Sequence, residues 1–347
     1  MSYTTKVLWI DRNTFSETEK ASWTQDLLLK RIRRPISANP KYLLILKDDR
    51  FIVVDKSGSV ILDKSVTYGI GEGAINNDGK VAIRSGADLY VYDIDGNELF
   101  HTTFANNLDR PIHIGLQYLY VRTYTKPTTV YIYDLDTFGY TSFSVNPYDP
   151  YFFNLIINDI GDKFMGIYSD DASKLHIFRG DTSGLTKDVN TDRKASIRLM
   201  VGRPDLLGAL VVGTYQPVTT YYCDIILVNF NLDWKVIDTE SASSLIVACP
   251  LIDANLTRML LLNNLNSTVK RFTIDLNSFT ATYLDSFDII DKPEHCSDIY
   301  PWGDMTPDGK FAIVPATKIK IIDFDEKSVV KEIPKAFSGK PIKVLVT

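Results

Sequence analysis

Apolar and polar residues alternate along this chain in short runs, and most of the runs end on an aspartate. Alternation with a period of two marks a strand that buries one face. The runs read VLWID ending at Asp11, FIVVD at Asp55, LYVYD at Asp93, VYIYD at Asp134, RFTID at Asp275 and KIIDF around Asp323. Two degenerate copies, LHIFR ending at Arg179 and IILVN ending at Asn229, fill the gap between them. Successive spacings are 44, 38, 41, 45, 50, 46 and 48 residues. Three copies extend further: Asp11–Thr18 (DRNTFSET), Asp134–Thr141 (DLDTFGYT) and Asp275–Thr282 (DLNSFTAT) share the pattern D-x-[DN]-[ST]-F-x-x-T. It predicts a strand, a turn built from Asx and Ser/Thr side chains, and a second strand. The Asp carboxylate accepts N–H groups of such a turn, so its recurrence needs no catalytic explanation.

A second hairpin signal precedes most copies: NNDGK at Asn76–Lys80, Gly161–Lys163, and TPDGK at Thr306–Lys310. Asp-Gly between alternating apolar runs marks a tight hairpin. Each unit therefore has four strands; in the second full unit they are 73–76, 80–84, 89–93 and 98–104. Four short antiparallel strands repeated every 40 to 50 residues, with almost no helical pattern, predict an all-β fold, a β-propeller of four-stranded antiparallel blades. There are eight strand-turn-strand phrases but only seven upstream hairpins. The first phrase has no partner before it, and residues 341–347 form a lone apolar run at the other end. The expected architecture is eight blades, one of them shared by the two termini. Residues 1–347 then make a single domain, closed by N-terminal strands over about 6–30 and a C-terminal strand at 341–347. Seven blades, with the terminal strands added to an existing one, is the alternative.

With TPDGKFAI at Thr306–Ile313 and the repeated strand ends in Asp, the chain resembles the WD40-like and YVTN-type β-propeller superfamily over nearly its whole length. It lacks the Trp-Asp and Gly-His dipeptides of true WD40 repeats, so the resemblance reaches the superfamily and no subfamily. It implies a rigid disc with a central channel, used most often as a protein-interaction platform and less often as an enzyme.

Composition narrows this little. Hydrophobic residues make up 45% and charged residues 23%, the balance of a globular chain. Lys and Arg total 38 against 43 acids, a net charge of −5, which offers no basic footprint for nucleic acid or an anionic membrane. The longest apolar stretch, 244–252, is far short of a bilayer span. The first ten residues lack the features of a secretory signal. Three widely spaced cysteines, Cys223, Cys249 and Cys296, with no C-x-x-C pair, argue against a disulfide framework or a zinc site. A cytoplasmic, reducing location is the expectation, although sequons at Asn255 and Asn266 keep a secreted or virion location open. Only three glutamines hint at a heat-adapted chain, a hint that 18 asparagines oppose.

Chemistry is sparse. His176 lies in a β-run and reads as a satisfied sheet histidine. Gly69–Gly73 (GIGEG) lacks the helix that a phosphate loop needs, and Asp93–Glu98 reads as a turn rather than a calcium loop. The basic cluster Lys30–Arg34 reads as a solvated loop. Residues Asp288–Asp304 form a long connection holding His295, Cys296, Asp298 and Trp302. No catalytic residue, metal ligand or cofactor is assigned. The expected function is a non-catalytic scaffold that binds a protein partner through one face of the disc. The connections leading into the innermost strands supply the candidate contacts Tyr68, Arg110, Tyr148, Tyr151, Arg193, His295, Asp298 and Trp302, with His113 a candidate for the channel wall. The alternatives are a lactonase-like enzyme with a polar or metal-binding channel, and a structural component of a virion or surface layer.

Overall fold

The computed structural model describes residues 3–25, 31–149, 153–170, 174–194, 196–215, 221–242, 248–263, 267–291 and 303–334. These residues form thirty β-strands and no helix. A hairpin of β1 (Tyr3–Ile10) and β2 (Glu17–Gln25) comes first. The first blade is β3 (Arg31–Arg33), β4 (Tyr42–Leu46), β5 (Arg50–Asp55) and β6 (Val60–Ser65). The second is β7 (Glu72–Ile75), β8 (Val81–Ser85), β9 (Asp88–Tyr92) and β10 (Glu98–Thr103). The third is β11 (Leu108–Ile114), β12 (Tyr118–Thr123), β13 (Thr128–Asp134) and β14 (Tyr140–Val145). The fourth is β15 (Phe153–Ile157), β16 (Lys163–Ser169), β17 (Lys174–Asp181) and β18 (Gly184–Lys194). The fifth is β19 (Ser196–Gly202), β20 (Gly208–Tyr215), β21 (Tyr221–Asn229) and β22 (Trp234–Ala242). The sixth is β23 (Ala248–Ile252), β24 (Arg258–Asn263), β25 (Thr268–Asp275) and β26 (Thr280–Asp288). The seventh is β27 (Asp304–Met305), β28 (Phe311–Pro315), β29 (Lys318–Asp323) and β30 (Ser328–Pro334). Strands pair antiparallel in chain order within every blade.

The seven blades stand in a ring, and the hydrophobic core lies between them rather than inside any one. Leu44, Phe51 and Val53 of the first blade meet Ile75, Val81 and Ile83 of the second. Leu210, Ile225 and Leu227 of the fifth meet Met259, Leu261 and Phe272 of the sixth. Alternation is the cause: each strand sends successive side chains to opposite faces, and each face is covered by a neighbouring blade.

Polar contacts between the turns that join first and second strands tie the blades together. The Lys41 N–H donates to Asn77 Oδ1 at 2.9 Å, and Asn76 Nδ2 donates to the Gly115 carbonyl at 2.9 Å. The Leu116 N–H donates to the Asp159 carbonyl, and the Asp159 N–H to that of Pro204, both at 2.8 Å. Arg203 Nη1 reaches the Asn255 carbonyl at 2.9 Å, and the Ala254 N–H reaches that of Pro307 at 3.1 Å. One bond of this kind thus crosses every junction from the first blade to the seventh.

The seven-bladed alternative is what the structure shows, and the eight-bladed expectation is not met. Among the described residues β1 and β2 pair only with each other, so they add no four-stranded sheet to the seven. The β1–β2 hairpin is instead a two-stranded wedge. Val7 packs on Ile45, Ile52 and Val54 of the first blade, while Leu8, Ile10 and Phe15 pack on Phe311, Ile321 and Ile333 of the seventh. Arg12 pairs with Asp308, and Lys331 with Glu17 at 2.9 Å. The run 341–347 lies outside the described residues.

Seven of the eight repeated phrases are the hairpins between third and fourth strands, and the first is the β1–β2 hairpin. The copy read as ending at Arg179 continues two residues to Asp181, whose carboxylate accepts the Ser183 N–H at 2.8 Å. Turn amides, those of Thr14 and Thr137 foremost, hold the Asp11 and Asp134 carboxyls below their ordinary range. The Phe of the longer pattern has a separate role. Phe15, Phe138 and Phe279 take left-handed backbone angles, with φ of 53°, 55° and 53°. Each ring reaches the blade before its own: Phe138 stacks on Phe100 of β10 with ring centres 4.6 Å apart, and Phe15 meets Phe311 edge-on at 5.4 Å.

Two corrections concern cysteine. Cys223 is a buried free thiol, as expected, but Cys249 on β23 is disulfide-bonded, its partner lying outside the described residues. Disulfides persist in oxidising environments, so the cysteines no longer support a reducing location. No helix of the described residues is long and apolar enough to cross a membrane.

Two stability predictions follow from the turns. A Cβ on Gly115 would lie 2.5 Å from backbone atoms of Ile160 and Gly161, whereas one on Gly69 would meet nothing within 4 Å. In urea unfolding, Gly115→Ala should lose about 2 kcal/mol or more, and Gly69→Ala should be neutral within about 0.5 kcal/mol. Phe138→Ala and Phe138→Gly both delete the ring, but only Ala keeps a Cβ in the left-handed region. The Gly variant should therefore be the more stable of the two by about 1 kcal/mol.

Candidate functional site

Innermost strands converge on the axis of the ring, and their side chains decide what the axis can hold. β3 is Arg-Ile-Arg, so the strand of the first blade nearest the axis is charged. This corrects the reading of the basic cluster as a solvated loop. Arg33 Nη2 donates to Glu72 Oε1 at 2.8 Å, and Glu72 is fully buried at the head of β7. Arg31 Nε stands 3.8 Å from the other Glu72 oxygen. Arg34 Nη2 bonds Asp304 Oδ1 at 3.1 Å and so joins the first blade to the seventh. In the third blade, Arg122 Nη2 donates to Asp109 Oδ2 at 2.7 Å, and its guanidinium lies 4.7 Å from the centre of the Phe153 ring. Withdrawing such charges from water costs several kcal/mol per ion, so only close, hydrogen-bonded partners make the arrangement tolerable.

Between these pairs lies a cavity of about 230 Å³. Residues on or just after the innermost strands of six blades wall it; Arg34, His113, Asn154, Arg203 and Asp304 supply the polar part, and Met200 and Leu251 belong to the apolar part. Arg203 is held by both oxygens of Asp205, at 2.9 and 2.6 Å. The Oδ1 of Asn154 accepts the Leu155 N–H at 2.8 Å. Asn154 as a whole is only 4% exposed. His113 Nε2 is sealed from solvent and lacks a partner among the described residues. Burial, followed by the positive charges of Arg33 and Arg122, pushes the His113 imidazole down to about 3, so it is neutral at pH 7. Among the described residues no group of three or more His, Cys, Asp and Glu side chains is placed to hold a metal ion.

Of the residues expected at the site, His113 alone is shown on this wall. Tyr68 lies in the connection between the first two blades, but its ring turns away from the axis. It stacks on Tyr90 at 4.1 Å, and its hydroxyl meets that of Tyr92 at 2.7 Å. Burial, followed by that hydrogen bond, raises the Tyr68 phenol well above its ordinary range. Arg110 is on β11 and Arg193 near the end of β18. Tyr148 is 56% exposed in the connection between the third and fourth blades. Tyr151, His295, Asp298 and Trp302 lie outside the described residues. His176 is satisfied, with Nδ1 3.0 Å from Asp188 and Nε2 3.3 Å from Asp170. Sequence reasoning missed Arg33, Arg34, Glu72, Asp109, Arg122 and Asn154. The available signal was a charged or amide residue inside an otherwise apolar innermost strand.

The buried histidine has a pH consequence. An unfolded imidazole takes up its proton near 6.5, the folded one only near 3. Between those limits the unfolded state binds more protons, so the stability due to neutral His113 is fully present above about 6.5 and is lost as pH falls. Relative to His113→Gln, wild type should lose about 1.4 kcal/mol per pH unit between about pH 6 and pH 4. Urea unfolding of both proteins across that range checks this; parallel curves would contradict it.

No protein-family model matches the sequence, and no curated protein matches it. Solved structures resemble it in fold. The dihydro-heme d1 dehydrogenase NirN, in complex with DHE, aligns with a TM-score of 0.63 at 11% identity, covering 95% of this chain and 70% of that one. Hydrazine synthase of Kuenenia stuttgartiensis aligns at 0.57 and 13% identity over 88% and 95%. The Dos1 propeller aligns at 0.55 and 12% identity over 84% and 76%. Likeness at these identities concerns the fold, and together with the ring of four-stranded blades it makes this chain a β-propeller.

Proposed function

We propose that this β-propeller is a non-catalytic platform that binds a protein partner through the face carrying the connections between blades. Fold alone does not choose between a platform and an enzyme; the presentation of Tyr148 carries the proposal. Its N–H is donated to the Ser169 carbonyl at 2.7 Å, so an exposed aromatic side chain is offered from a backbone pinned to the next blade. Lys126 Nζ stands 5.8 Å from the centre of its ring, and Tyr124, 40% exposed, follows β12 on the same face. Beside them His176 is clamped by Asp170 and Asp188 and stacked on Tyr168 at 4.5 Å. Aromatic anchors on pre-ordered backbone are the residues that dominate protein interfaces, because little ordering entropy remains to be lost. By sequence position Arg110, Tyr151, Arg193, His295, Asp298 and Trp302 extend the proposed surface along the other connections.

Affinity capture followed by measurement of the purified pair tests the proposal. Tyr148→Ala and Tyr124→Ala should each weaken the partner by about 2 kcal/mol, roughly 30-fold in Kd. Leu207→Ala, in the first turn of the fifth blade on the opposite face, should leave binding unchanged. Binding that is indifferent to both tyrosines but lost with Leu207 would reject this choice of face.

A further inference from the structure

We infer that the outer edge of β14 is an interface between two copies of this chain, paired antiparallel about a two-fold axis at Ser142. The last strand of a sheet presents a row of N–H and C=O groups ready to pair with another strand. Proteins guard such edges with charged side chains and with β-bulges. Among the described residues, β2, β6, β10, β18, β22, β26 and β30 carry both guards. Each contains at least one Asp, Glu, Lys or Arg. Each also shifts register against the strand beside it. β14 has neither guard. Its sequence, YTSFSV, is uncharged, and it pairs with β13 in unbroken register from Thr128 opposite Val145 to Tyr133 opposite Tyr140. Tyr140, Thr141, Ser142 and Ser144 are exposed, so the chain itself leaves this strand open.

The same composition selects the occupant. A charged strand laid on this edge would lose water without gaining a counter-charge, whereas a second β14 brings no charge. The exposed positions are centred on Ser142. A copy laid antiparallel with Ser142 opposite Ser142 sets Tyr140 against Ser144 of the second copy, and Thr141 against its Phe143. Side chains on each face of the sheet stay on that face, as an even register requires. Every pair is neutral, and the aromatic and β-branched pair of Thr141 and Phe143 is of a kind that stabilises adjacent strands. Each chain offers one unguarded edge, so two copies use both and the assembly closes as a dimer. The inference does not rest on the proposed protein partner, and Tyr124 and Tyr148 lie outside the paired segment.

Sedimentation equilibrium of the full chain tests the interface. It should show monomer and dimer exchanging with a Kd of about 100 µM or tighter, the strength of a small interface. Ser142→Lys sets two like charges against each other on the axis and should weaken the dimer about tenfold, as should Ser142→Glu. Mixing these two variants puts opposite charges at the same point and should restore association to about the wild-type level, which also shows that both variants fold. Ile61→Lys, on the guarded edge of β6, should leave the dimer unchanged. A chain that stays monomeric up to about 1 mM overturns the inference, even if the edge takes a strand of another protein. A dimer that both Ser142 substitutions leave intact, or that the mixed variants do not restore, overturns it also.

Discussion

A blade of four short strands has two apolar faces and can bury neither alone. Everything in this molecule depends on covering each blade from both sides, which for a chain of blades means a closed circle with one join. Six of the blade junctions carry nine to twelve buried apolar residues each, and a turn-to-turn hydrogen bond crosses every one. The join is different. On either side of the β1–β2 wedge the described residues bury only three apolar side chains, and ion pairs such as Lys331–Glu17 add to the connection. Partly exposed ion pairs contribute little net energy, so their service at the join is to set which surfaces meet.

The same geometry produces the charged axis. Innermost strands crowd around a line and have neighbours only to the side, so residues there answer to each other across blades. Arg33 reaches from β3 to Glu72 on β7, and Arg34 reaches back to Asp304 on β27. A row of buried pairs of this kind is weak evidence of stability, because desolvation offsets the Coulomb gain. It does set how neighbouring innermost strands stand to one another around the axis.

How far the structure could be read in advance differs by element. The Asp–turn phrases identified the hairpin of third and fourth strands in every blade, because the Asx turn has a local cause: one carboxylate accepting two or three nearby N–H groups. The number of blades was harder, since it depends on whether the first hairpin belongs to a four-stranded sheet or stands as a pair, and its sequence pattern is the same in either case. β3 was missed because three residues with two arginines carry no apolar alternation. It is a strand because it pairs with β4, Arg31 opposite Leu46 and Arg33 opposite Leu44, and its charge is met by Glu72, 39 residues away from Arg33. Tyr68 shows the limit of reasoning from connections: a residue can lie on the expected segment and still point its ring into the neighbouring sheet. The bond at Cys249 was hidden for a related reason, as cysteine spacing along the chain says nothing about which thiols meet in space.

The phenylalanines at left-handed turn positions bear on how such a repeat can be edited. The ring of Phe138 is seated on Phe100 in the blade before it, and that of Phe15 on Phe311. A blade defined by its own four strands is thus an incomplete module: it carries a plug whose socket was encoded one repeat earlier. Recombination, duplication or grafting that cuts the chain at blade boundaries separates the two, whereas a crossover displaced by half a repeat transfers them as a set.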